Sequence, residues 1–144
     1  MTKHLYIIVL SLLLVSWEAV WADSDRKGFS VADIKGRYSF SFDGQIVGVA
    51  PVAATGVFRA DGKGNVTNAV RTISVGGQAQ TETFTCTLTV NRNGTGSAIC
   101  PLDTPAPGFP PVETFDFVLE GKAKAFRLVG TTAGIVVLGS GRKQ

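Results

Sequence analysis

The chain has 144 residues, 44% of them hydrophobic, with 14 lysines and arginines against 11 acidic residues and a formal charge of +3. That length suits one domain with a core of its own. So mild and scattered a charge, with Arg26-Lys27, Lys122/Lys124 and Arg142-Lys143 as separate pairs and no interleaved aromatics, speaks for solubility and against nucleic acid as a partner.

Residues 1–22 read as a secretory leader, with Lys3 and His4 as a basic start, an apolar run from Leu5 to Val15, and Val20-Trp21-Ala22 as a cleavage site. The run is well short of the ~20 residues that span a bilayer, and Glu18 interrupts its extension. Cleavage after Ala22 predicts a secreted or periplasmic chain with no stable membrane span. It also removes the only histidine, His4, which excludes Ser-His-Asp and Cys-His nucleophiles and any histidine-bearing zinc site. The mature sequence asks for neither metal nor cofactor.

Residues 23–35 are a polar leader followed by Ser30-Val-Ala-Asp33, a capped single helical turn with Phe29 and Ile34 as its apolar contacts. Such a turn can plug one end of a barrel. The β domain is expected over 36–141, with a basic tail over 142–144.

From Gly36 to Gly44 the chain alternates, with Tyr38, Phe40 and Phe42 on one face. Gln45 to Ala53 carries Gly48 and Pro51 and reads as an edge or bulged connection. Ala54 to Ala60 resumes as a strand with Gly56 and Phe58 inward, and Asp61-Gly-Lys-Gly64 is a turn. Asn65 to Val75 has no clear face, because Val66 and Val70 lie on one parity and Ala69, Arg71, Ile73 and Val75 on the other. Beyond Gly76-Gly77, Thr83, Thr85, Thr87 and Thr89 all point outward, the clearest period-two signal in the chain.

That strand turns at Asn91-Arg-Asn-Gly-Thr95 and returns through Leu102. Pairing Val90 with Gly96 matches Leu88 with Ala98, Cys86 with Cys100 and Phe84 with Leu102, so the register that buries the apolar set predicts a cross-strand disulfide. Closing a loop of about 15 residues is worth ~3 kcal/mol in the chain-entropy model. Asp103 to Pro111 holds four prolines and must be a surface or lid loop, with Phe109 either an exposed anchor or packed across a barrel end. Val112 to Leu119 turns Phe115, Phe117 and Leu119 inward, Ala125 to Val129 does the same with Phe126 and Leu128, and Ile135 to Leu138 ends the pattern.

The fold class is therefore all-β, an antiparallel up-and-down meander of seven to eight strands closing into a small barrel, with a two-sheet β-sandwich as the alternative. Gly36-Arg-Tyr38 after a single helical turn resembles the Gly-x-Trp opening of lipocalins. The wider run, Gly36-x-Tyr-x-Phe-x-Phe and then Gly56-Val-Phe-x-Ala-Asp-Gly-x-Gly-Asn65, is similar to small secreted bacterial proteins with lipocalin-like or allene-oxide-cyclase-like barrels, over about residues 33 to 141. The resemblance implies a barrel. No C-terminal helix of the lipocalin kind is expected after the last strand.

Tyr38, Phe40, Phe42, Phe58, Phe84, Phe115, Phe117 and Phe126 share inward parity, and each aromatic buries ~150 to 250 Å². They either fill the barrel or line a pocket for a small apolar ligand. Glu82 and Glu113 carry the same parity near strand starts and could work as an acid-base pair at one mouth, although solvated rims suit carboxylates better. Arg71 is the cation that could join them as a structural ion pair. Asn65-Val-Thr67 and Asn93-Gly-Thr95 match the glycosylation acceptor pattern but sit in turns where asparagine has backbone reasons to occur. Three functions stay open: a binding module for a small apolar ligand or a partner protein, a cyclase or isomerase-type enzyme using Glu82, Glu113 and Arg71, and a structural surface protein without a ligand.

Overall fold

The computed structural model describes residues 28–144, so the leader expected over 1–22 and the polar stretch 23–27 lie outside the described residues. Eight strands follow a single 3₁₀ turn at Val31–Asp33: β1 Lys35–Ile46, β2 Ala50–Asp61, β3 Asn65–Val75, β4 Gln78–Val90, β5 Thr95–Pro101, β6 Val112–Glu120, β7 Ala125–Gly130 and β8 Ile135–Lys143. Each pairs antiparallel with the next, and β8 pairs with β1 to close the ring. One closed sheet removes the sandwich alternative. Every strand gains two neighbours, which leaves no free sheet edge.

The upper end of the barrel carries the 3₁₀ turn and the connections over 62–64, 91–94 and 121–124. The lower end carries 47–49, 76–77, 103–111 and 131–134. At the upper end Ser30 N and Oγ both donate to Asp33 Oδ2, Phe29 N donates to Arg92 O, and Ile34 turns into the core. The expected capped turn thus lies against one barrel end.

The unclear parity of β3 has a physical source. A bulge shifts its register against β4 between Val66 and Ala69, and Asn68 there adopts a positive φ of 50°. The extra residue swaps the faces, so Val66 points inward before it and Ala69, Arg71 and Ile73 point inward after it. The expected connection over Gln45–Ala53 is instead two paired strand ends around a tight turn at 47–49. Pro51 is tolerated because its carbonyl accepts from Gly76 N, one step beyond the last β2–β3 pair at Val52 and Val75, so its missing N–H interrupts no ladder. The last strand also outruns Leu138. Arg142 and Lys143, expected as a tail, pair with Ser39 and Tyr38 of β1.

A narrow ring can hold this many aromatics because glycines stand opposite them. Phe40 faces Gly56 on one side and Gly141 on the other, Phe42 faces Gly139, and the Phe117 ring lies over Gly96. A missing side chain beside each ring makes its room. Around the outside of β4, Thr81, Thr83, Thr85, Thr87 and Thr89 are all exposed, as the alternation requires. Among the described residues no helix is long and apolar enough to cross a membrane.

Candidate functional site

Interior residues of the ring form two stacked zones. The upper zone is an apolar cavity of about 80 Å³ whose lining includes Phe40, Phe42, Phe58, Phe84, Phe115, Phe117 and Phe126, the disulfide, and one charged residue, Arg71. The aromatic set therefore does most of the filling and leaves a remainder, roughly half the ~150 Å³ of an engineered apolar cavity that binds benzene. Tyr38 shares the inward parity but does not line the cavity. Its ring stacks on Phe58 with centroids 5.3 Å apart, and its hydroxyl donates to Ala123 O at 2.7 Å. That bond holds the 121–124 turn, where Lys122 and Ala123 both adopt positive φ.

Burial varies along the interior. Inward-facing Phe58, Leu88, Phe126 and Leu128 toward the upper end are only half-buried. Inward-facing Ile46, Ile73, Phe84 and Leu102 toward the lower end are buried. Closer to the upper rim Ile34, Tyr38, Ala60, Leu119 and Ala123 are buried, so the half-buried side chains lie just below a covered end.

The disulfide is the wall of that cavity. Cys86 and Cys100 are bonded with Cα atoms 4.1 Å apart, flanked by the Leu88–Ala98 pair and the Phe84–Leu102 bridge of the expected register. Both cysteines are buried, out of reach of bulky reductants.

The lower zone holds the three ionisable candidates. Arg71, Glu82 and Glu113 are 2%, 0% and 2% exposed, so neither carboxylate sits at a solvated rim as expected. The reason lies in Arg71: β3 places it directly across from Glu82 on the neighbouring strand, and the closed ring brings Glu113 of β6 round to the same guanidinium. Arg71 Nε donates to Glu82 Oε2 at 2.6 Å and Nη1 donates to Glu113 Oε2 at 2.6 Å. Nη2 lies 2.5 Å from Glu82 Oε2 yet makes no hydrogen bond. The guanidinium carbon sits 5.4 to 5.6 Å from the ring centres of Phe42, Phe84 and Phe109, a cation surrounded by aromatic faces.

Two carboxylates share one cation here, and the electrostatics follow. Burial pushes the Glu113 carboxyl above its ordinary value, against the charge and hydrogen bond of Arg71 that pull it down, while Glu82 pushes it further up. The other oxygen of Glu82 accepts from Ala106 N and from Gln80 Nε2, so the proline-rich loop is tied to the buried cluster. Phe109 and Ala106 are buried beneath that loop, which makes Phe109 a seal across the lower end and not an exposed anchor. Gln80 and the Ala106 N–H were not legible as part of this cluster. Gln80 shares the parity of Glu82, which was the available signal, whereas a loop N–H leaves no mark in a sequence.

Glu82 and Glu113 stand behind Arg71 and do not line the cavity, so the three residues act as a bolt beneath it. Among the described residues no three of His, Cys, Asp and Glu gather into a metal-holding group. Asn65 lies at the start of β3, where its side chain donates to Asp61 Oδ2 at 2.7 Å, and Asn93 Oδ1 accepts from Thr95 N at 3.1 Å. Both asparagines are thus employed in their turns. No family model, no curated protein and no solved structure matches this chain.

Proposed function

We propose that this protein is an extracytoplasmic binding module, a lipocalin-like cup that holds a slender apolar molecule in its upper zone. The observation that carries the reading is the interior cavity itself, apolar, lined in part by the half-buried Phe58, Leu88, Phe126 and Leu128, and bounded below by the Arg71 cluster and Phe109. The disulfide fits an oxidising compartment. The cavity favours an alkyl chain or one end of a larger molecule over a bulky polycyclic ligand, since about 80 Å³ is available without rearrangement.

The test is solution NMR of the methyl groups of Leu88, Leu119 and Leu128 during addition of xenon and then pentane. Saturable shifts at these leucines, lost when Ala98→Phe fills the cavity, are expected. Absence of any saturable shift in the wild-type protein defeats the reading.

A further inference from the structure

Basic residues that are scattered pairs in the sequence come together in space. Lys143 N donates to Lys124 O, and Arg142 stands across from Ala125, so the 121–124 turn and the end of β8 form one rim segment. Lys35, Arg37 and Arg59 occupy the upper ends of β1 and β2, and Lys63 and Arg92 the turns beside them. All of these side chains are exposed. Every exposed lysine and arginine among the described residues lies in the upper half of the barrel, while the lower half shows the exposed carboxylates Asp43 and Asp103 and no exposed cation.

The acids at the upper end do not cancel this rim. Asp33, Asp61 and Glu120 subtract three charges from the ten exposed lysines and arginines of the described residues, Glu120 by pairing with Arg127, and exposed Asp116 lies near the middle of β6. The barrel is therefore a dipole along its axis, positive around its upper end.

The shape of the charge selects the partner. A single anionic headgroup needs two or three cations converging on one point, and a linear polyanion needs a stripe with exposed stacking rings. Here the cations circle the whole perimeter of one end, converging on no single point. We infer that the upper end docks face-on to a bilayer surface carrying anionic lipid, the cations lying among the headgroups. Each lysine or arginine near such a surface contributes on the order of tenfold or somewhat less to partitioning, falling off within a Debye length of ~10 Å at 0.1 M salt. The inference rests on the charge map alone and holds whether or not the cup carries a ligand.

The test uses the full chain and vesicles of phosphatidylcholine with or without phosphatidylglycerol, read by co-sedimentation. Residues 1–27 carry Lys3, Arg26 and Lys27 of their own, so the vesicle comparison is read together with barrel substitutions that leave that segment unchanged. Binding at least tenfold stronger to the anionic vesicles, abolished by ~0.5 M salt as screening requires, is expected. Two sets of substitutions, Lys122→Gln/Lys124→Gln/Arg142→Gln/Lys143→Gln and Lys35→Gln/Arg37→Gln/Arg59→Gln/Lys63→Gln, are each expected to weaken that binding at least tenfold. Equal binding to both vesicle types, no binding to either, salt-insensitive binding, or tighter binding to an oligonucleotide overturns the inference. Loss confined to one of the two sets also overturns it, because a local anion site and not a face would then be responsible. If a set fails to fold, its substitutions are made in pairs, and binding that no folded pair weakens overturns the inference.

Discussion

Gly56 stands directly across from Arg71 in the β2–β3 ladder, and a Cβ added to the glycine would lie 2.8 Å from the arginine Cβ. The inward turn of the guanidinium depends on that gap. Gly56→Ala should destabilise the protein by ~1 to 3 kcal/mol through overpacking. The entropy that alanine removes from the unfolded chain offsets only ~0.4 to 1 kcal/mol of this. Urea denaturation of the two proteins measures the difference.

The three buried charges should behave as a unit. Arg71→Met alone strands Glu82 and Glu113 without a cation and is expected to cost ~3 to 5 kcal/mol. Arg71→Met combined with Glu82→Gln and Glu113→Gln should recover most of that loss, since a neutral cluster of similar volume needs no compensating charge. Losses that simply add across the three substitutions would show that the residues do not interact.

Stability should depend on pH with two opposite arms. The folded state raises the Glu113 pKa from 4.5, so its contribution is fully present below the unfolded value and is lost as pH rises through the raised folded value. Asp61 is the reverse case: hydrogen bonds from Asn65 and Lys63 lower its pKa from 3.8 to about 2. Its contribution is present above 3.8 and is lost as pH falls through about 2. Urea midpoints should therefore climb as the solution is taken from neutral into mild acid and then fall in stronger acid. Glu113→Gln should flatten the upper arm and leave the acid arm in place.

Removing the bridge tests the hairpin. Cys86→Ala/Cys100→Ala should cost ~2 to 5 kcal/mol, the range for a native disulfide in a small secreted domain. The unreduced wild-type protein should show a mass two hydrogens below the reduced form and no thiol open to alkylation. Two readily alkylated cysteines would contradict the buried, bonded pair.

Where polar and apolar residues strictly alternate, the structure was legible from sequence. The threonine file of β4 and the Val90–Gly96 register gave the hairpin and its disulfide because a slip of one residue would have exposed Phe84, Cys86 and Leu88 together. The β3 face was illegible because Asn68 breaks the period with a bulge, a backbone event that composition does not announce. The parity of Glu82 and Glu113 was readable, but their burial was not. It depends on Arg71 reaching both, and that meeting is a property of the closed ring and of no segment within it. The gathering of Lys124 and Arg142 at one rim was hidden for the same reason.

Closure of β1 on β8 also shapes how this protein comes into being. Seven of the eight seams join strands adjacent in the chain and can zip as local hairpins, but the eighth joins Tyr38 to Lys143, across nearly all of the described chain. Non-local pairing of this kind is slow, about milliseconds to seconds in small β domains. Until β8 has emerged and found its place, β1 offers an open backbone edge to any other strand in reach, including the β8 of a neighbouring copy. The vulnerable interval is the time before that final seam closes, and it is then that exchange of β8 between copies would first be seen.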